Sequence, residues 1–425
     1  MIAALRGTPA RAAAPLLTIA AFLVGPIGFL APLGLAPLLI VVALGLAAIA
    51  WLEHRVPGPP IDLSVALTLL CVVALASVTW AVDPDQSLAR SLRLFGECVE
   101  GVLLLDAVER LDDAERRRVI DGLAAGLAVT AALAFADYVF DRGLMRWLHG
   151  PATPPTASNR GATVLAIMMW PVLRHLARRG GTPAALAEWF VAASAIALCL
   201  AASAQLALAV ASLVFVVALW RGRAVAWIAL VTVPLLVLAM PLVPLVSPPE
   251  HPLLPRAMLK PSAIHRLVIW QFTDARIAER PALGWGMDAA RSMPGHNQYR
   301  SLPDAQGVEQ RYELMPLHPH NGALQVWVEL GAVGALIAAL ITMVPLARLA
   351  GRNLPSLDRA AGLASLAAAA VEVSLSYGVW QSWWVAALWL AAGFVAAARA
   401  APALSPDAAA ERPLGAPAAR APSGS

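Results

Sequence analysis

Leu317-His318-Pro319-His320-Asn321-Gly322 closes a polar stretch that opens near Pro241, and the residues after it are again almost wholly apolar. The fold is read outward from this junction. On both sides, hydrophobic runs are joined by links too short to fold alone, so the loop ending here is the one segment able to hold a site outside a membrane. Hydrophobic residues make up 59% of the 425-residue chain and charged ones 14%, with a mean hydropathy of +0.69. That balance excludes an ordinary soluble domain and defines an all-α polytopic membrane protein. A spanning helix needs about 20 mostly apolar residues. About twelve transmembrane helices fit, near 12–30, 33–52, 61–80, 86–107, 118–140, 160–177, 184–203, 204–220, 224–245, 320–346, 358–378 and 380–398. The expected organisation is therefore a first group of helices over 1–245, a long loop over 246–319, a second group over 320–399, and a tail over 400–425. The weakest division is at Ser203-Ala204-Gln205, inside a very long apolar run. One continuous helix there would invert everything downstream.

Arginine placement tests this division, because cytoplasmic links collect Lys and Arg. With the N-terminus inside, one set of links carries Arg6 and Arg11, Arg55, Arg110 with Arg116 to Arg118, Arg174 with Arg178 and Arg179, Arg221 and Arg223, then Arg348, Arg352 and Arg359. The opposite short links, Asp83-Pro84-Asp85, Ser203-Ala204-Gln205 and Tyr377 to Trp384, contain no arginine. The bias puts the long loop on the periplasmic side and both termini in the cytoplasm. Basic residues in the 141–160 link and in the long loop run against the bias, which marks both for function. The net charge of +4 is distributed as topology demands, so no nucleic acid partner is expected. Cys71, Cys98 and Cys199 all fall in apolar runs, leaving the loop without a disulfide or a zinc spacing. The basic, then apolar, N-terminus lacks an Ala-x-Ala-type site and reads as a retained helical hairpin. Residues 400–425, rich in Ala, Pro and Ser, have too little apolar surface to fold and read as a disordered cytoplasmic tail.

Three groups of residues carry candidate chemistry. His318 and His320 sit at the start of a helix whose N-cap is Asn321, where free amides and the positive dipole end favour anions and a neutral imidazole. A neutral histidine can take a proton from a sugar hydroxyl. An isolated histidine at an interface is commonly structural, but Gln325 and Glu329 lie further along the same helix, and a carboxylate inside a span is a functional candidate by default. Gly331 and Gly334 suit close helix packing. In the fourth span, Arg90, Arg93, Glu97 and Glu100 share one helical face that should look into the bundle, either locking helices together or meeting an anionic ligand. Finally, the apolar positions from Ser262 through Trp270 and Ile277 to Gly286 recur every three to four residues, predicting an amphipathic helix across the mouth of the bundle. Arg266 stands near its start, where a guanidinium fork suits a diphosphate.

Together, Arg266 through Trp270, Pro281-Ala282-Leu283-Gly284-Trp285-Gly286, His318-Pro319-His320-Asn321 and Leu324 through Gly331 resemble the O-antigen ligase and polymerase superfamily. Ser77 through Pro84 and Asn159-Arg160 extend the similarity over most of residues 61–390. The resemblance implies a glycosyltransferase-C-like membrane enzyme. It would take glycan from undecaprenyl diphosphate and pass it, with inversion and without metal, nucleotide or other cofactor, to an acceptor such as lipid A-core, in contact with membrane lipids. On the same resemblance, His320 matches an essential loop histidine and Arg266 a diphosphate-facing arginine. Many members carry a second arginine beside a serine where this chain has Ser203-Ala204-Gln205. Gln205, or Arg160, Arg90 or Arg291, would then serve the diphosphate. Ligase, polymerase and protein oligosaccharyltransferase remain open on sequence alone. A secondary transporter fits less well, since transporters place their sites at the midplane between repeats.

Overall fold

The structure is a computed structural model that describes residues 10–58, 61–249, 260–303 and 307–399. Arg6 and the 400–425 tail lie outside the described residues. Thirteen helices are present among them: α1 (Ala10–Leu30), α2 (Leu35–Leu52), α3 (Ile61–Ala76), α4 (Pro84–Glu109), α5 (Asp113–Val139), α6 (Gly143–His149), α7 (Asn159–Leu198), α8 (Ala202–Ala239), α9 (Val243–Val246), α10 (Pro261–Glu279), α11 (Gly322–Ala350), α12 (Ser356–Leu375) and α13 (Ser382–Ala398). Seven of the described helices, α1, α2, α3, α5, α7, α8 and α11, are long and apolar enough to cross a membrane. The chain is an all-α polytopic membrane protein.

Helix ends obey local chemistry. Asp83 caps α4 by accepting from the Gln86 amide at 3.0 Å, with Pro84 in the first turn where its missing N–H costs nothing. Asp112 and Glu115 form a reciprocal capping box at the start of α5. Long helices break where the sequence puts polar links. α7 is interrupted at Gly181, whose φ of 70° is open to glycine, and α8 at Arg221. The division between α7 and α8 falls at Cys199 to Ala201, a few residues before the Ser203 position expected from sequence. Leu200 turns the chain there with φ 57°. Helices α1 and α5 approach closely because Gly25, Gly122 and Gly126 leave no side chain between them; a Cβ at Gly126 would meet the Phe22 carbonyl. The main core gathers Leu17, Val24, Leu39, Leu123, Trp170 and Trp384.

The bundle has two unlike ends. At one, Arg55 and Arg110 meet Asp106, Arg174 and Arg178 meet Asp358 at 2.8 and 3.2 Å, Arg179 meets Asp121 at 2.9 Å, and Arg348 meets Asp62 at 3.0 Å. These are the arginines that the sequence groups into one set of links. The exposed pairs among them are worth about 0–1 kcal/mol each, so they say more about topology than about stability. At the other end lie α6, α10, the Ser376–Gln381 link, and a hairpin the sequence did not announce. Its strands β1 (Tyr299–Pro303) and β2 (Glu309–Glu313) run antiparallel, with Ser301 opposite Arg311.

The segment 280–286 is where the amphipathic pattern misleads. It continues the apolar spacing of α10, yet α10 stops at Glu279, and the next residues give their backbone to α11. That helix is broken at Gly331 (φ 63°, ψ −161°). Trp285 and Gly286 donate to the Val328 and Glu329 carbonyls at 2.9 and 2.8 Å; Ala332 and Val333 donate to the Pro281 and Ala282 carbonyls at 2.8 and 3.3 Å. The loop thus repairs, strand-like, the hydrogen bonds that the break removes. Gly331 therefore serves this junction and not, as its spacing suggests, helix packing alone. A Cβ on Gly331 would collide with the Ala282 carbonyl, and one on Gly284 (φ 67°) with that of Glu329. Gly331→Ala is expected to cost at least about 1–3 kcal/mol from backbone strain alone, lowering the melting temperature of the detergent-solubilised protein. Gly58→Ala, where a Cβ meets nothing within 4 Å, is the control. Equal melting of both variants would show that the break tolerates a side chain.

Candidate active site

His320 stands one residue before the α11 N-cap, held in the left-handed region at φ 55°. Asn321 is that N-cap, as expected: its Oδ1 accepts from Leu324 N at 3.0 Å, while its Nδ2 donates to the Ser374 carbonyl at 3.2 Å, tying the junction to the end of α12. The His320 Nδ1 lies 2.6 Å from the Ser376 carbonyl oxygen. A carbonyl can only accept, so Nδ1 carries the hydrogen. Burial, then the nearby Arg266 and His265, hold the His320 pKa below its ordinary value against the opposing pull of the Ser376 bond. The ring is then neutral near pH 7 and Nε2 bears a free lone pair. The helix N-terminus predicts the same direction of shift, but its causes are burial and positive neighbours.

His318 is a different ring. It is buried, its Nδ1 accepts from the His320 amide at 3.2 Å, and its centroid is 4.3 Å from that of His320. Burial, His320, Arg291 and Arg266 push its pKa down to about 3. Gly378 lies against it, where a Cβ would come within 3.1 Å of the ring. His318 acts as a neutral wedge that shapes the turn.

Arg266 faces this pair from α10. Its Nη1 donates to the Ser262 carbonyl at a long 3.3 Å, and its Nε is buried without a partner. An arginine so placed retains donors for a ligand. Burial lowers its pKa, and Glu372 opposes that shift. Glu372 is not among the candidates that the sequence supplies. It is fully buried near the end of α12, with Oε2 accepting from Ser376 Oγ at 2.6 Å and Oε1 from Thr163 Oγ1 at 3.0 Å. The rule that flags Glu329, a carboxylate inside an apolar run, flags Glu372 as well. Thr163 also contacts the Tyr377 hydroxyl at 3.1 Å, and Tyr377 meets Trp383 edge-on at 4.6 Å.

The other sequence candidates are spread around this centre. Arg160, at the start of α7, stacks its guanidinium 5.3 Å over the Trp383 ring that Tyr377 also meets. Arg90 is buried between Glu97 and Ser382 Oγ (3.0 Å), with its Nε unpartnered, so the helix-locking reading of that face applies to it. Arg93 is exposed, off the interior face it was expected to share. Glu329 is saturated: Gln325 Nε2 at 3.0 Å, Trp380 Nε1 at 2.6 Å and the Asp288 amide at 2.7 Å all donate to it. Gln325 Oε1 accepts in turn from Val379 N at 2.9 Å. Gln325 and Glu329 thus bind the loop and the Ser376–Gln381 link to α11, a supporting role. Gln205 is exposed, with its amide 3.4 Å from the Ala197 carbonyl. The structure therefore brings His320, His318, Arg266 and Glu372 together, sets Arg160 at the rim, and leaves Arg90 and Gln205 outside the cluster.

A polytopic helical bundle with a neutral histidine and an underused arginine at one end defines a multi-pass membrane protein with a polar site at the mouth of its helices. Residues 189–339, from the second half of α7 into α11, match the family model described as O-antigen ligase. Similar proteins, each named as a proposed polysaccharide ligase, occur in Rickettsia. The one from Rickettsia felis is 24% identical over 318 residues, 74% of this chain and 75% of that protein. The one from Rickettsia typhi is 26% identical over 238 residues, 55% and 56%. With the one from Rickettsia conorii the identity is 28% over 138 residues, and the match spans 31% of this chain and 31% of that relative. The 189–339 match contains Arg266, His318, His320, Asn321, Gln325 and Glu329; Glu372, Arg90 and Arg160 lie beyond it.

Proposed function

We propose that the protein is an inverting, metal-independent glycosyltransferase of the bacterial inner membrane, moving O-antigen glycan from undecaprenyl diphosphate to lipid A-core. About twelve spans, counting α7 and α8 as two each at their breaks, put the loop in the periplasm and the arginine-paired end in the cytoplasm. One observation carries the reading: His320 Nε2 is a neutral base held in place by the Ser376 carbonyl, beside an Arg266 with donors to spare. The acceptor hydroxyl oxygen attacks the anomeric carbon and gives its proton to Nε2. The bond from that carbon to the diphosphate oxygen breaks with its electron pair, and the leaving charge is met by Arg266, with Arg160 at the rim. Of the other sequence candidates, Arg291, whose charge acts on His318, is the next for the same diphosphate, while Arg90 is engaged with Glu97 and Ser382. Donor activation is built into the diphosphate, so positioning and charge stabilisation suffice.

Gene deletion tests the acceptor. Core without O-chain, with lipid-linked polymer accumulating, is the expected lipopolysaccharide phenotype. Core bearing a single repeat would instead assign a polymerase, and normal lipopolysaccharide with unglycosylated protein an oligosaccharyltransferase. The purified protein, given lipid-linked glycan and acceptor, is expected to retain full transfer in EDTA with no nucleotide added. Activity that disappears in chelator and returns with Mg²⁺ or Mn²⁺ would end the metal-independent mechanism and turn attention to Glu329, Asp274 and Asp288 as ligands.

A further inference from the structure

Among the described residues, Glu372 is the buried carboxylate that reaches both halves of the candidate site, and the transfer scheme leaves it without a task. Towards the histidine, its Oε2 accepts from Ser376 Oγ at 2.6 Å, and its own carbonyl accepts from Ser376 N at 2.9 Å. Both bonds fix the residue whose carbonyl, 2.6 Å from His320 Nδ1, sets that ring's tautomer. Towards α7, Oε1 accepts from Thr163 Oγ1 at 3.0 Å. Towards α10, no ion pair joins it to Arg266, whose Nε is buried and unpartnered, although the carboxylate works against the fall that burial imposes on the Arg266 pKa. The same side chain therefore reaches both the residue that orients His320 and, through Thr163, the start of α7.

From this geometry we infer that Glu372 is a positioning residue of the transfer site, holding the Ser376 carbonyl against His320 while acting as the resident counter-charge to Arg266 when no diphosphate is bound. This rests on the glycosyl-transfer reading above. A buried cation left unpaired is costly, and a carboxylate at a short remove offsets that cost without occupying the guanidinium's donors. An incoming diphosphate then pairs with Arg266 but feels the carboxylate's repulsion. Glu372 thereby weakens donor binding while it speeds the chemistry. A merely structural carboxylate would not produce that combination.

The experiment is steady-state transfer by purified protein with lipid-linked glycan as the varied donor, together with direct binding of undecaprenyl diphosphate. Glu372→Gln keeps the shape and the Ser376 contact in weakened form but removes the charge. The expected result is kcat down by at least tenfold with donor KM and undecaprenyl diphosphate Kd both down about three- to tenfold, which is about 0.7–1.4 kcal/mol of tighter binding. In an Arg266→Met background the gain should shrink, because the share that comes from freeing Arg266 of its counter-charge is lost while relief of the direct repulsion remains. Glu372→Asp, which keeps the charge on a shorter arm, should lose kcat and retain wild-type donor affinity, and it serves as the test should the glutamine variant not fold. Donor affinity unchanged or weaker in Glu372→Gln, or kcat within about threefold of wild type, would overturn the assignment. So would a fall in kcat accompanied only by a lower melting temperature. If the wild-type protein itself transfers no glycan but still binds undecaprenyl diphosphate, the transfer reading has failed. The counter-charge role is then judged on the binding arm, where Glu372→Gln tightening binding upholds it and no change overturns it.

Discussion

His320→Ala is expected to abolish glycan transfer, by at least about a hundredfold, while expression and membrane insertion persist. The size of the loss reflects its place as the imidazole beside Arg266 with a free lone pair and a fixed orientation. Alanine removes the proton acceptor, and the neighbouring ring cannot replace it, because the His318 Nδ1 already accepts from the His320 amide. Near-normal product in a complementation gel would refute the assignment. His318→Ala should cost less, through loss of packing against Gly378, and equal loss in both variants would mean that the wrong ring has been chosen. The acid limb of the kcat profile offers a separate check. The folded pKa of His320 is lowered, so the base stays unprotonated, and activity persists, below the ordinary histidine value of about 6.5. A limb at or above that value would show that some other group titrates.

Arg266→Lys is expected to lose more than about tenfold in transfer although the charge remains. Guanidinium presents a planar fork that can hold two diphosphate oxygens at once, and here the fork extends from a stem packed within α10, with Nε already stripped of water and without a partner. Lysine would bring a single ammonium on a flexible arm and would also bury it at greater cost. On the proposed diphosphate donor the loss should appear in donor KM and in kcat, since that group would be bound in the ground state and gain charge as it leaves. Full activity in Arg266→Lys would reduce the residue to a surface anchor and pass the diphosphate to Arg160 or to the Arg90 face.

Composition and arginine spacing made the membrane class and the helix-to-loop junction at Asn321 legible, because apolar length and charge bias act locally. His320 drew attention by standing beside the Asn321 cap and Arg266 by the resemblance, and both remain the proposed site residues. The rest depended on partners distant in sequence. Ser376, whose carbonyl orients His320, contributes no side chain to that bond, so nothing in its identity betrays it. Gly284 and Gly331 look like ordinary helix punctuation until each is seen against the other's backbone. Arg90 could not be separated from Arg266 by residue type; its side chain is engaged with Glu97 and Ser382, which only the structure shows. The extension of α10 past Glu279 failed because apolar periodicity reports which residues are buried and not whether their amides bond within the helix or to a different one.

The graft of residues 281–286 onto broken α11 restricts how any substrate can reach the site. Four backbone bonds cross that junction, and Val328, Glu329, Leu330 and Gly331 on α11 are buried. Pulling the loop away as a lid would leave donors and acceptors on both sides without partners, at about 1–3 kcal/mol for each unsatisfied group. The segment is therefore a poor hinge. On the proposed function, a long lipid-linked glycan would enter by a route that leaves this segment in place, so a cross-link pinning 281–286 to α11 should leave turnover intact.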